Sequence, residues 1–84
     1  MRSNLFVPAY NKKYIANINK TNFDSYIFDL EDSVPSNKKK IARSNIKEFF
    51  IKKKHKKLFF FRINPSDSKY FKEDISLLKY IGKN

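Results

Sequence analysis

The hydrophobic positions along this chain alternate between short apolar runs of the strand type and spaced stripes of the helix type. Asn4-Leu-Phe-Val-Pro8 is an apolar run stopped by proline, which has no N–H for a strand ladder, and it predicts a buried strand. From Asn11 to about Lys20, Tyr14, Ile15 and Ile18 recur at helical spacing behind Asn11, whose side chain suits an N-cap. Ser25-Tyr-Ile-Phe-Asp29 predicts a second strand, apolar on both faces as a parallel strand covered by helices is. Pro35 and Ser36 mark the next helix start, beyond which Ala42, Ile46, Phe49 and Phe50 fall at i, i+4, i+7 and i+8 on one helix face. A polar bridge, Lys52 to Lys57, leads to Leu58-Phe-Phe-Phe-Arg-Ile63, a third strand of high β-propensity. Phe71, Ile75 and Leu78 give a third helical stripe.

The order β-α-β-α-β-α predicts an α/β fold with parallel strands and right-handed crossovers, in an open sheet or a barrel. In that setting Phe59, Phe60 and Phe61 read as core on both faces of a strand rather than as a base-stacking platform. Three parallel strands leave two unpaired edges, and the run from Leu58 to Ile63 is long and apolar for an edge. The expectation is a chain cut from a larger fold, or one completed by a partner, with residues 1–84 as the N-terminal part of one domain. At 84 residues it buries only about 60–65% of its unfolded surface, so isolation predicts poor folding.

Composition narrows the chemistry. There is no cysteine, which excludes disulfides, thiolate metal sites and a cysteine nucleophile. Gly82 is the only glycine, so there is no glycine-rich phosphate loop. His55, the only histidine, lies among lysines and reads as a surface residue without a Ser-His-Asp setting. No signal-peptide pattern or membrane-length apolar run is present, and the expected setting is cytoplasmic, with no membrane partner. The net charge of +11 is concentrated: Ser36 to Lys57 holds ten bases against one acid, Glu48. Lysines there mostly avoid the apolar stripe, so a solvated helix face is favoured over a nucleic-acid footprint.

Polar residues gather at the carboxyl ends of the strands, where parallel α/β folds carry function. The second strand runs into Asp29-Leu-Glu-Asp32, three carboxylates that call for a cation, water or arginine to compensate them. The third ends in Arg62-Ile-Asn-Pro65, and an arginine there can grip a carboxylate or enolate oxygen with two parallel hydrogen bonds. Together they suggest an anionic substrate and a divalent cation. Two structural roles compete with this: Asp29 capping the following loop through backbone amides, and Glu31 or Asp32 bridging to Arg62 across neighbouring strands.

Arg2-Ser-Asn-Leu-Phe-Val-Pro8, Phe28-Asp-Leu-Glu-Asp-Ser-Val-Pro35 and Arg62-Ile-Asn-Pro65 resemble three signatures of the citrate lyase beta subunit. They also resemble the malyl-CoA and citramalyl-CoA lyases within the HpcH/HpaI aldolase group. Lys38 to Arg43 resembles the family's charged helix start, and Asp67, Tyr70, Phe71 and Asp74 continue the likeness. The resemblance implies a (β/α)8 TIM barrel about three times this length. It implies magnesium-dependent cleavage of a carbon–carbon bond in an acyl-CoA or citryl-type thioester, by a homo-oligomer. It makes Arg62 the substrate-binding and oxyanion-stabilising arginine, with Asn64 beside it, and Asp29, Glu31 and Asp32 the acidic motif near the metal. Glu31 and Asp32 would hold metal-bound water, the direct ligands coming from later strands. Asp32 stands where the aldolase branch has a histidine base. Arg2, Lys12 and Lys13 lie where the family meets the nucleotide portion of coenzyme A. Ala9 replaces the usual glycine after Phe-Val-Pro, which predicts a different first βα turn.

Two other readings remain beside the lyase: a basic module binding nucleic acid through Lys38 to Lys57, and a non-catalytic half-barrel that pairs with a complementing chain.

Overall fold

A computed structural model describes residues 3–52 and 54–83. Strand β1, Asn4–Pro8, leads into helix α1, Lys12–Asn17, which tightens into a 3-10 turn at Ile18–Lys20. Strand β2 is Ser25–Asp29; a 3-10 turn at Ser36–Lys38 then opens helix α2, Lys39–Lys52. Strand β3, Phe59–Arg62, and helix α3, Phe71–Lys83, complete the order. The three strands form one parallel sheet in the order β1-β2-β3.

Local chemistry explains the element ends. Asn11 caps α1, its side-chain oxygen accepting the Lys13 N–H at 2.9 Å. The Thr21 hydroxyl donates to the Ile18 carbonyl at 2.8 Å and closes the 3-10 turn, so the helix is shorter than the run from Asn11 to Lys20 suggested. Ile15 and Ile18 are buried there, whereas Tyr14 is exposed.

The register places Leu5, Tyr26 and Phe59 in one row and Val7, Phe28 and Phe61 in the next, on the face that the helices cover. Phe28 stacks between Phe59 and Phe61 at 5.6 and 5.5 Å and meets Phe49 and Phe50 of α2 edge-on at 5.7 and 5.8 Å. Val7, Ile15, Ile18, Ala42, Ile46 and Leu77 are buried in the same core.

The opposite face is a correction to the expectation of two covered faces. Its rows are Phe6, Ile27, Phe60 and Pro8, Asp29, Arg62. Phe6 is 54% exposed and Phe60 50%. All the helical packing lies on one side, so strand alternation leaves Phe6 and Phe60 in the open, although Ser25 and Asp29 on the same face of the central strand are buried. Strand β3 is also shorter than the run from Leu58 to Ile63, and Leu58 is exposed.

Two further differences concern polar residues. In α3, Asp74 and Leu77 face inward, while Phe71, Ile75 and Leu78 are only half-buried. Hydrogen bonds from Asn64 and Arg43 hold Asp74 inward. His55, expected at the surface, is half-buried: its ring stacks on Phe49 at 3.8 Å and its Nε2 lies 3.0 Å from the Phe49 carbonyl oxygen. The bridge after α2 is thus anchored to the aromatic core.

Candidate functional site at the strand ends

Pairing of Asp29 with Arg62 in the β2–β3 register sets the site, because it puts both side chains on the uncovered face at the carboxyl ends of the strands. The two form a fork. Arg62 Nε donates to Asp29 Oδ1 at 3.0 Å and Nη2 to Oδ2 at 2.6 Å. Each Asp29 oxygen also accepts a backbone N–H, Oδ1 from Glu31 at 2.8 Å and Oδ2 from Ser33 at 2.9 Å. Burial to 2% exposure pushes this carboxyl up, but Arg62, Ser33 and Glu31 more than reverse that and hold it far below the usual carboxylate range. Arg62 is raised in turn, first by its hydrogen bond to Asp29.

The arginine remains accessible. Its side chain is 40% exposed, and its guanidinium lies 5.3 Å from the centre of the Phe6 ring. Asp29 takes two of its five N–H groups. Nη1 is 3.7 Å from the exposed Asp32 carboxylate, an ion pair too long for a hydrogen bond. Both structural roles weighed for the acidic run are therefore present: Asp29 caps the loop, and Asp32 bridges to Arg62. The additional finding is that Asp29 itself takes the guanidinium fork.

Beneath this pair the loops are held by buried polar side chains. Lys39, the first residue of α2, is buried and donates from Nζ to the Leu30 and Glu31 carbonyls, 2.9 Å each. Asn64 is also buried; its Nδ2 donates to the Leu30 carbonyl at 3.0 Å and to Asp74 Oδ2 at 2.6 Å. Its backbone N–H reaches the same Asp74 oxygen at 2.9 Å, and Arg43 donates to Asp74 Oδ1 at 3.1 Å. Asn64 thus sits in the scaffold of the site. Lys39 was hidden by its run of lysines, although it lies one turn before Ala42 on the stripe of Ala42, Ile46 and Phe49.

Lys12 and Lys13 are exposed on α1, and neither touches the Asp29–Arg62 pair. Lys12 instead approaches Glu48 of α2 at 3.8 Å, at the rim of a groove of about 340 Å³ on the helical side of the sheet. Arg2 lies outside the described residues.

The family model described as HpcH/HpaI aldolase/citrate lyase matches residues 2–83. The chain belongs to this family. Membership indicates a lyase-type function, and the three-stranded parallel sheet with its helices is consistent with part of the family's β/α fold. No curated protein matches the chain.

HpcH/HpaI enzymes are generally dependent on a divalent metal. The described residues bring together no group of three or more His, Asp or Glu able to hold one. The two Asp29 oxygens are already engaged by four donors, leaving Glu31 and Asp32 as the carboxylates of this corner that could face metal-bound water. Two such groups do not make the six-oxygen shell that magnesium demands, so these residues do not by themselves fit a complete site. Among the described residues no helix is long and apolar enough to cross a membrane.

Proposed function

We propose that this HpcH/HpaI-family chain forms the anion-binding corner of a magnesium-dependent carbon–carbon lyase acting on a hydroxy-acyl thioester of the acyl-CoA or citryl type. The observation that carries the proposal is Arg62: a strand-end guanidinium, fixed by a buried carboxylate and still open to solvent on the uncovered face.

Cleavage of such a thioester removes the proton of the substrate hydroxyl as the carbon–carbon bond breaks. The hydroxyl carbon becomes a carbonyl, the bonding pair passes to the thioester as an enolate, and that enolate is then protonated at carbon. Negative charge therefore develops on the thioester oxygen, and a preorganised donor aimed at it lowers the barrier. Arg62 has N–H groups left for this oxygen or for the substrate carboxylate, while Asp29 fixes its orientation. Asp29 is a poor proton acceptor, because its carboxyl is held so far toward the ionised form. Asp32, exposed beside Nη1, is better placed for a base role. Magnesium, when bound, would supply Lewis acidity and a template for the keto-acid portion.

The uncovered row Phe6, Ile27, Phe60 supports the architectural part of the proposal. In a (β/α)8 barrel this face points into the barrel, where later strands would bury it and supply metal ligands. Residues 1–84 are then its N-terminal part, and alone they are inactive.

The test expresses the chain within a complete barrel, its missing strands supplied in cis or by a co-expressed chain of the same family, and measures magnesium-dependent cleavage of citryl-, malyl- and citramalyl-CoA. Cleavage of one of these, falling about 100-fold or more in kcat on Arg62→Ala, is expected from loss of an oxyanion donor. No cleavage of any of the three, or full activity without Arg62, rejects the proposal.

A further inference from the structure

We infer that Lys39 and Asp74 are positioning residues for the strand-end site, two buried charges that lock the loop after β2 and the loop after β3 into one unit around Arg62. The functional consequence rests on the lyase reading; the positioning itself does not.

The hydrogen bonds form a continuous chain. Arg43 donates to Asp74, Asp74 accepts both the backbone and side-chain N–H of Asn64, and Asn64 donates to the Leu30 carbonyl. Lys39 donates to the same Leu30 carbonyl and to that of Glu31. The Leu30 N–H meanwhile donates to the Arg62 carbonyl at 2.8 Å, which closes the circuit between the loops. Lys39 and Arg43 are one turn apart on α2, so a single helix end fixes both loops.

Burial makes this arrangement specific. Asp74 is fully buried, and Lys39 nearly so. An ammonium or carboxylate out of water is tolerated only where its donors or acceptors are met, so these contacts admit few alternative loop positions. The loop they fix carries the Glu31 and Ser33 N–H groups that hold Asp29, and Asp29 in turn orients Arg62. Lys39 and Asp74 thus act on the guanidinium without touching it.

Amide hydrogen exchange on the full chain tests this residue by residue. Lys39→Met removes both loop donors; the Glu31 and Ser33 amides should exchange about tenfold faster or more, with Tyr26 and Phe28 of the central strand unchanged. Lys39→Arg should restore most of the protection, and Asp74→Asn should accelerate the Asn64 amide in the same local way. Loop amides that exchange as in the parent overturn the inference. Acceleration spread evenly over loop and strand also overturns it, because that is loss of global stability rather than of positioning. Should the methionine variant not fold, Lys39→Gln, which keeps a donor but no charge, decides by the same two patterns. No substrate enters this measurement, so it succeeds or fails independently of the lyase assay.

Discussion

Asp29→Asn tests the centre of the site because no orientation of the amide satisfies its surroundings. Each carboxylate oxygen accepts one N–H of Arg62 and one backbone N–H, so the new NH2 group must face one donor of each kind. The lost charge-assisted bond is worth about 1.5–3 kcal/mol and the lost amide bond about 0.5–1.5. Arg62 is 40% exposed, so water rehydrates its freed N–H and trims the total to about 2–3 kcal/mol. In a folded unit of this size, that lowers Tm by roughly 10–20 °C.

The loss also carries a pH signature. The Asp29 pKa is depressed in the folded chain, whereas the unfolded value is about 3.9, so between the two the unfolded state binds more protons. The stability contributed by Asp29 is therefore complete above about pH 5 and lost as pH falls toward the folded pKa. Between pH 6 and pH 3 the gap between parent and variant should narrow by about 1 kcal/mol. Urea unfolding followed by circular dichroism at both pH values measures it. A gap below about 0.5 kcal/mol at pH 6, or one that does not narrow at pH 3, refutes the reasoning.

One-sided packing predicts unequal phenylalanines: Phe28→Ala should cost about 3–5 kcal/mol and Phe60→Ala less than about 1 in the chain as it stands, read from the same urea curves. Similar losses at the two positions would contradict the assignment of faces. Asn11→Ala removes the α1 cap and should cost about 1 kcal/mol, with faster amide exchange at Lys13; an unchanged Lys13 rate would remove Asn11 from that role.

Strand and helix order was readable because each element carries a single period, as in the α2 stripe of Ala42, Ile46 and Phe49. Coverage of the strands was not, since an apolar residue such as Phe60 looks the same whether helices pack over it or leave it bare. Lys39 and Asp74 were obscured for a related reason: charged residues count as solvent-facing until their partners are known, and theirs sit in neighbouring loops or on another helix, brought close only by the fold. Arg62 and the acidic run were evident from composition and strand-end position. Which carboxylate meets the arginine was not, because that depends on the register between β2 and β3.

That register also bears on the division of labour among the carboxylates. Three acids close together would repel one another if all were free to ionise in the same space. Asp29 avoids this by placing its charge in the Arg62 fork and the loop amides, where it is neutralised and withdrawn from solvent. Glu31 and Asp32 then share a corner whose strongest local charge is a fixed guanidinium, with Asp32 held at 3.7 Å. In the proposed lyase the first acid of the run serves the arginine and the later two face the solvent side, where substrate and metal-bound water would arrive. Chemistry at Asp32 would therefore survive Asp29→Glu only if the longer side chain kept the fork.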